Sequence, residues 1–572
     1  MIYSKILKQG YVMTYFLLIL LFIIVNFIIY DKFIQRKHQL LINYPLIGRM
    51  RYVFEALREP FRQYFANEDF YESKDKVDWV YNASKAKNGY ISFSPSQPQA
   101  NPKFLIKHSN VPLNDDEVSN KISVTFGQKR KYPFKTSSII CRSAMSDGAI
   151  SPEGTKAFTM GAKLGEFAIN TGEGSLTTNF FFTHTSLDSS YMNIIHVKGF
   201  NKTIYNIIAK VFNKYAAMSY LRNKLISKEL QDTYIFNKES LVFFRPNWNA
   251  PLENFPKTVP SDMPDIIFQM SSGLYGCRDE DGNFDDIKYQ KTMSFCKMTE
   301  IKIAQGAKQT GGKLVAAKVT PAIAYYRGVT ANKSLYSPNR FPYASSVEEL
   351  FDFVAKLQEL SNKPVGIKIV ISSKELFTQY AIEIKRRKEN NISGIPDFFT
   401  IDGGDGGSAT APLFLMDRVG LHIKDAIHIV NSVLKDYEIR DEVKIIASSK
   451  VLTPDDIIIA LSLGADYIAI ARGFMLSAGC IRARMCSGEG SHNCPIGLAT
   501  QNETLRKSYL VYKNATSIKN YHNGLINGVK TILAIMGKSS VSELCKDDLT
   551  FVDKNGFIHT DINRYLDKKL SV

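Results

Sequence analysis

Four short apolar runs alternate with amphipathic stretches between residues 364 and 471, and this alternation most constrains the fold. Each run is apolar at nearly every position, which predicts a strand buried on both faces. Buried strands that alternate with helices indicate a parallel sheet. A series this long without a dinucleotide-binding fingerprint favours a (β/α)8 barrel over a doubly wound sheet. The predicted strands span 364–371, 397–402, 443–448 and 466–471, and the predicted helices span 374–388, 422–435 and 455–463.

Three loops follow these predicted strands directly, at the barrel end where active sites lie. The loop 402–408 contains four glycines and two carboxylates. Glycines let backbone N–H groups approach an anion or a flat ring, although such loops are often simple turns. The next two loops are places where barrels often bind phosphate, and the alternative is surface cations. The candidate residues in these loops are Asp405, Gly406, Gly407, Ser449, Lys450 and Arg472.

Lys368 interrupts an apolar strand close to its expected carboxyl end. A buried lysine is costly unless its ammonium meets an anion or a cofactor, so Lys368 is a candidate site residue. The alternative is a lysine whose ammonium reaches solvent past the strand. The segments 170–174 and 300–308 are also polar, and the second contains Glu300 and Gln305. The residue pattern alone does not choose among them.

Three of the seven cysteines, Cys480, Cys486 and Cys494, lie within fifteen residues, and a proline follows the third. Closely spaced thiolates followed by proline suit an iron–sulfur cluster. Two alternatives stay open: unrelated buried thiols, or a zinc site completed by His492. An odd number of cysteines without regular pairing argues against a disulfide framework and indicates a reducing compartment.

Residues 11–30 are almost wholly apolar, with only Thr14 and Asn26 polar. Twenty helical residues span about 30 Å, the hydrocarbon thickness of a bilayer, so one membrane-spanning helix is predicted. Lysines and arginines follow it closely, which places the large carboxyl-terminal part in the cytoplasm. The alternative is a cleaved signal peptide, but the run is long for one and no small-x-small cleavage site follows.

The formal net charge of +17 is interpreted as surface charge, partly on a face near the membrane. Because the charge is spread along the chain without a dense basic block, nucleic-acid binding is not expected.

Several segments, taken in order, are similar to the FMN-binding glutamate synthase family, the synthase barrel domain of glutamate synthases. The resemblance covers residues 40–535 and is strongest to short, stand-alone, membrane-anchored members. The matching segments are Y-P-L-I-G-R-M-R-Y (44–52), S-A-M-S-D-G-A-I-S (143–151), N-T-G-E-G (170–174), F-Q-M-S-S-G-L-Y-G-C-R-D-E-D-G-N-F (268–284), E-I-K-I-A-Q-G-A-K (300–308), D-G-G-D-G-G-S-A (402–409) and C-P-I-G-L-A-T-Q (494–501).

Together with the hydropathy, the resemblance predicts four parts. Residues 1–38 form a tail with the membrane anchor, and residues 39–130 form a juxtamembrane collar. Residues 131–535 form the FMN-binding barrel with the cysteine cluster, and residues 536–572 form a helical tail.

The resemblance implies an FMN at the barrel mouth and a three-iron, four-sulfur cluster. The implied FMN-binding residues are Ala144, Met145, Ser146, Asn170, Gln269, Lys368, Asp405, Gly406, Gly407, Ser449, Lys450 and Arg472. The implied cluster ligands are Cys480, Cys486 and Cys494. The implied catalytic residues are Lys368, Glu300 and Gln305, with Lys308 also near the substrate.

The implied reaction is the reductive amination of 2-oxoglutarate to glutamate through 2-iminoglutarate. Electrons are expected to reach FMN through the cluster from ferredoxin or another electron-donor protein. The chain begins Met1-Ile2 where the full enzymes have a glutaminase cysteine, so ammonia or another amine is expected from elsewhere. Two alternatives stay open: a related FMN oxidoreductase with a different keto acid or amine, and a membrane-tethered scaffold without catalysis.

Overall fold

Eight parallel strands close into a (β/α)8 barrel in the computed structural model, as the strand–helix alternation predicts. Each strand pairs with the next one along the chain, and the last pairs with the first. The barrel strands are β1 (Ile140–Arg142), β2 (Ala168–Asn170), β3 (Ile266–Met270), β4 (Met298–Lys302), β5 (Val365–Val370), β6 (Phe398–Asp402), β7 (Lys444–Ser448) and β8 (Tyr467–Ile470).

The structure describes most of the chain, and the barrel belongs to the larger of its two units, Met1–Asp69 and Phe70–Val572. The described residues are 2–35, 39–54, 57, 73–87, 103–119, 122–181, 187–212, 214–306, 311–412, 415, 418–490 and 493–570.

The second half of the barrel follows the predicted boundaries within one residue. Its strands are buried on both faces. The Ser373 side chain accepts a hydrogen bond from Leu376 N and so caps one outer helix at its start. The helices between these strands are Lys374–Glu389, Ile423–Asp436 and Pro454–Ser462. The other helices of this unit are Lys74–Ser84, Pro152–Gly165, Phe200–Val211, Lys214–Leu225, Asp286–Met293, Pro321–Arg327, Val347–Ser361, Arg472–Ser477, Glu503–Lys507, Val511–Met536 and Ile562–Leu570.

A small antiparallel hairpin closes the amino-terminal end of the barrel. Its strands are Thr125–Phe126 and Phe134–Lys135. The buried Phe126 ring lies 5.4 Å from the ring of Phe398 and 5.3 Å from that of Tyr467, measured between centroids. Phe398 and Tyr467 are the first residues of β6 and β8. Because this end is filled by aromatic packing, a ligand must enter at the carboxyl ends of the strands.

The connection between β2 and β3 contains a small folded insert, residues 187–250. Its three antiparallel strands are Met192–His196, Val242–Pro246 and Ile235–Asn237, in that spatial order. The helices Phe200–Val211 and Lys214–Leu225 pack on this sheet around a separate hydrophobic core. Two-residue strands Lys313–Leu314 and Leu335–Tyr336 form a second antiparallel pair between β4 and β5.

The carboxyl-terminal part returns to the start of the barrel. The helix Val511–Met536 packs against Pro152–Gly165 and Lys74–Ser84. A Cβ on Gly161 would lie only 2.5 Å from the Ile518 side chain, so the close approach of the two helices requires glycine there. The expected helical tail is only partly helical. Its strands Leu549–Val552 and Ile558–His559 form a sheet with Lys103–Ile106, and the helix Ile562–Leu570 follows.

The amino-terminal unit contains the long helix Ile2–Ile29, a wider helical turn Tyr30–Ile34 and the short helix Gln39–Asn43. The stretch Met13–Ile34 is long and apolar enough to cross a membrane, a test that an amino-terminal signal sequence also passes. The carboxylate of Asp31 accepts hydrogen bonds from the guanidinium of Arg49 at 2.5 and 2.8 Å. The chain therefore folds back onto the end of the apolar helix.

Candidate functional site

The buried carboxylate of Glu300 connects four barrel strands near their carboxyl ends. Glu300 on β4 accepts hydrogen bonds from Asn170 Nδ2 on β2 at 2.8 Å and from Gln269 Nε2 on β3 at 2.6 Å. Its second oxygen accepts a hydrogen bond from Thr400 Oγ1 on β6. Asn170 Oδ1 accepts in turn from Gly172 N at 2.8 Å. Both oxygens of Glu300 are thus occupied, and this carboxylate holds the two amide side chains in one orientation.

Lys368 is a buried cation beside this carboxylate. Its Nζ lies 3.5 Å from Asp402 Oδ2, and both side chains are buried. Burial acts to lower the pKa of the Lys368 ammonium, but the carboxylates of Asp402 and Glu300 outweigh it and raise the pKa. Lys368 therefore meets anions inside the barrel and is charged at neutral pH.

An ion pair connects the end of β4 to the loop that follows β2. Lys302 Nζ lies 2.9 Å from Glu173 Oε2, and the Glu173 side chain is about three-quarters buried. Although burial acts to raise it, the Lys302 ammonium lowers the pKa of the Glu173 carboxyl to about 2. Beside this pair, Ser271, Lys302, Gln305, Gly312 and Asn339 are among the residues that line a recess of about 270 Å³, counted with its opening to solvent.

The loop after β1 contains the predicted flavin-binding residues Ala144, Met145 and Ser146, and a buried arginine supports it. Arg142 Nη1 donates to Ser143 O at 2.9 Å and to Met145 O at 3.1 Å. Burial lowers the pKa of Arg142 to about 9. A Cβ on Gly172 would lie 2.6 Å from Ser146 N, so the loops after β1 and β2 are in contact.

The loops after β4, β6 and β7 also meet at the mouth. Gly306 N donates to Asp402 Oδ2 at 3.1 Å, and Gln305 Nε2 donates to Gly407 O at 3.4 Å. Ser449 Oγ donates to Asp405 Oδ1 at 3.4 Å. Arg472 begins a short helix directly after β8. The structure therefore places the predicted residues Gly406, Gly407, Ser449, Lys450 and Arg472 on adjacent loops at the same end of the barrel. Lys308, also expected near the substrate, lies outside the described residues.

The three clustered cysteines lie close enough to influence one another. Cys480 and Cys494 are buried and Cys486 is partly exposed. The pKa of the Cys486 thiol is raised to about 11. Burial is the main cause, and the neighbouring sulfurs of Cys480 and Cys494 add to it. In the described part of the chain, no three or more His, Cys, Asp or Glu side chains are placed to hold a metal ion. His492, which the zinc alternative requires, lies outside the described residues.

Lys318 fixes the backbone of the cysteine segment. No sequence pattern predicted this role for Lys318. Its buried ammonium donates to Cys486 O at 2.6 Å, Ala499 O at 2.9 Å and Ala149 O at 3.2 Å. A Cβ on Gly488 would lie 2.7 Å from Lys318 Cε, so the segment passes directly over the lysine side chain.

Residues 78–539 match the conserved region in glutamate synthase. The chain belongs to the glutamate synthase family. The glutamate synthase large subunit-like protein YerD of Bacillus subtilis (strain 168) is 30% identical over 568 residues, which cover 92% of each chain.

Some other relatives are much longer than this chain. The ferredoxin-dependent glutamate synthase of Pyropia yezoensis is 30% identical over 299 residues, which are 52% of this chain but only 18% of that protein. Among solved structures, a double mutant of flavocytochrome b2 with pyruvate bound has a TM-score of 0.39 and 12% identity, over 87% of this chain and 85% of that one. A likeness this low carries no argument about function.

Sequence reasoning missed three side chains at the barrel mouth: Thr400, Arg142 and Lys302. Thr400 alternates with apolar neighbours in a strand, which marks it as facing the barrel interior. Lys302 lies in the polar segment 300–308 but pairs with a carboxylate 129 positions away. Arg142 is the last residue of a three-residue strand that no periodicity reveals.

Proposed function

We propose that this chain is an FMN-dependent oxidoreductase that reductively aminates 2-oxoglutarate to glutamate through 2-iminoglutarate. Ferredoxin or another electron-donor protein supplies the electrons by way of an iron–sulfur cluster, and ammonia or another amine supplies the nitrogen. The family membership supports this reaction. The observation that carries it is the buried polar set at the barrel mouth, with Glu300 orienting two amides beside the charged Lys368.

The groups at the mouth fit a flavin by their chemistry. The amides of Asn170 and Gln269 can hydrogen-bond the heteroatoms of a flat ring, and Lys368 supplies a fixed positive charge. A Cβ on Gly407 would meet nothing within 4 Å, so the backbone there is open to a ligand. The residues that would hold the ribityl and phosphate groups are Asp405, Gly406, Gly407, Ser449, Lys450 and Arg472.

The side chains of this site bind and orient the substrate in the proposed reaction. Ammonia condenses with the carbonyl of 2-oxoglutarate and releases water, which leaves 2-iminoglutarate. When bound, FMN supplies the hydride that reduces the imine carbon. The Lys368 ammonium attracts a substrate carboxylate, and burial strengthens this attraction because water does not screen it. Glu300 acts as a positioning residue, because both of its oxygens are already hydrogen-bonded.

Cys480, Cys486 and Cys494 are the proposed cluster ligands. Three neighbouring sulfurs and the Lys318 ammonium suit an anionic iron–sulfur centre by donor chemistry. The described side chains do not form a metal-holding group, so the proposed route of the electrons through the cluster rests on the family membership and not on this geometry.

We also propose that the helix containing Met13–Ile34 is a single membrane anchor, with the barrel on the cytoplasmic side. Its length and composition support this. The lysines and arginines that follow in the sequence support the cytoplasmic placement.

The decisive experiment is anaerobic purification of the full chain with iron and FMN supplied, followed by quantification of both. We expect bound FMN, and reoxidation of the reduced protein by 2-oxoglutarate with ammonia. Lys368→Met should abolish this reoxidation, whereas Lys385→Met, on the exposed side of an outer helix, should not. A colourless protein would overturn the proposal. Reoxidation by a different keto acid alone would identify the related oxidoreductase instead.

A further inference from the structure

The insert between β2 and β3 carries an unusual concentration of positive charge. Residues 196–228 contain seven lysines and arginines and no aspartate or glutamate. The positive charge is therefore not spread evenly along the chain, because this segment is locally basic. The seven residues are Lys198, Lys202, Lys210, Lys214, Arg222, Lys224 and Lys228.

These residues lie on and around two helices, Phe200–Val211 and Lys214–Leu225, which we call the basic hairpin. The inner face of the hairpin packs onto the insert's own sheet. Tyr205, Ala217 and Leu221 are buried there against Phe243. The hairpin is thus anchored in a hydrophobic core separate from that of the barrel.

An exposed apolar stripe runs along one side of the first helix. Phe200 is 73% exposed, Ile207 is 56% exposed and Val211 is 66% exposed. Spacings of seven and four residues place these side chains in one stripe along the helix. Phe212, which follows at the helix end, is 74% exposed. An exposed helix face in a soluble protein is normally polar, so this stripe indicates a binding surface.

Exposed lysines flank the stripe. Lys210 lies about 80° around the same helix from the stripe, and Lys224 comes from the second helix. Lys224 Nζ lies 5.5 Å from the centroid of the Phe200 ring. Apolar side chains bordered by flexible ammonium groups are typical of helices that lie in a membrane interface.

We propose that the basic hairpin binds the surface of an anionic lipid bilayer. Phe200, Ile207 and Val211 enter the boundary between headgroups and acyl chains, and the lysines contact lipid phosphates. The six exposed lysines favour an anionic surface, whereas Arg222 is turned inward, where the charges of Asp232 and Glu153 act on it. This inference does not depend on the proposed reaction.

The test measures lipid contact at the hairpin of the full chain. Ile207→Trp is reconstituted into phosphatidylcholine vesicles with brominated acyl chains, with and without phosphatidylglycerol, and tryptophan quenching is recorded. The unsubstituted chain gives the background from Trp79 and Trp248. Ile287→Trp is the matched control, because Ile287 is 54% exposed on the helix Asp286–Met293 outside the insert.

We expect the tryptophan at position 207 to be quenched in the vesicles that contain phosphatidylglycerol. The tryptophan at position 287 should show little quenching in either type of vesicle. Replacement of Lys210 and Lys224 by glutamine should lower the binding constant of the hairpin for anionic vesicles about five-fold per lysine. Equal quenching at the two tryptophans would overturn the proposal. A second result would also overturn it: no quenching in vesicles, together with a dimer in detergent that Val211→Glu converts to a monomer. The apolar stripe would then be a contact between two copies of the chain.

Discussion

Glu300 on β4 is hydrogen-bonded to Thr400 on β6, although these two strands do not pair with each other. The carboxylate therefore spans the barrel interior rather than serving one strand. Through Asn170 and Gln269 it also contacts β2 and β3. A change at this one position should affect both the stability of the barrel and the orientation of the groups at its mouth.

Glu300→Gln should lower the free energy of unfolding by about 3 kcal/mol, because it removes the negative charge beside the buried Lys368 ammonium and weakens the hydrogen bonds that this charge strengthens. Urea denaturation of the purified protein measures this. Glu348→Gln, on an exposed side chain of the helix Val347–Ser361, is the control and should change little. Equal stability of the two variants would contradict the central role of the carboxylate.

Lys318→Met should loosen the cysteine segment, because three backbone carbonyls lose their shared donor. We expect iron affinity to fall about tenfold, as for other groups that position metal ligands. An independent measurement uses the cofactor-free proteins. The Cys486 thiol should react faster with a thiol reagent in Lys318→Met than in wild type. Lys333→Met, at an exposed site in the same connection, should leave both values unchanged.

His522 should make the folded state less stable at acid pH. Burial lowers the pKa of this imidazole from 6.5 to about 4, while Ser138 Oγ lies 2.8 Å from its Nε2. Between these pH values the unfolded chain binds a proton that the folded chain does not, so stability falls as the pH falls. The full effect is about 3 kcal/mol.

The measurement is the pH dependence of the unfolding free energy of wild type and His522→Gln. The variant should lose less stability than wild type between pH 6.5 and 4, whatever its absolute stability. His196→Gln removes an exposed imidazole and should retain the wild-type slope. Parallel curves for wild type and His522→Gln would show that the buried imidazole is not the cause.

Ser449→Gly should stabilise the protein by about 1 kcal/mol, because Ser449 has a φ of 101°, where a side chain is strained. The thermal unfolding midpoint of the cofactor-free protein measures this. Ser508→Gly serves as the control, since Ser508 has an ordinary φ of −81° and should lose stability instead. A fall in the midpoint of Ser449→Gly would mean that the serine hydroxyl contributes more than the strain costs.

The strands β5–β8 could be predicted closely because each is a buried apolar run between amphipathic helices. The strands β1 and β2 could not be located by periodicity, because three residues do not establish a period. The insert 187–250 also separates β2 from β3 by a folded unit with its own core, which hides the strand–helix alternation.

The site was predictable where a residue violates a simple rule. Lys368 stands out because a charge inside an apolar strand needs a partner, and the structure supplies Asp402. The role of Glu300 depends on hydrogen bonds to Asn170, Gln269 and Thr400, which lie 130, 31 and 100 positions away in the sequence. Local sequence does not reveal such contacts. Lys318 likewise reaches the cysteine segment from 168 positions away.

The long helix Val511–Met536 rests on Pro152–Gly165, the helix that follows the first barrel strand. A helix that is synthesised early therefore packs against one that is synthesised late. The ribosome must translate most of the protein before that contact can form. Until then the face of Pro152–Gly165 around Gly161, which packs against Ile518, is exposed. Translational pauses before residue 511 should thus prolong the period in which the emerging polypeptide needs a chaperone.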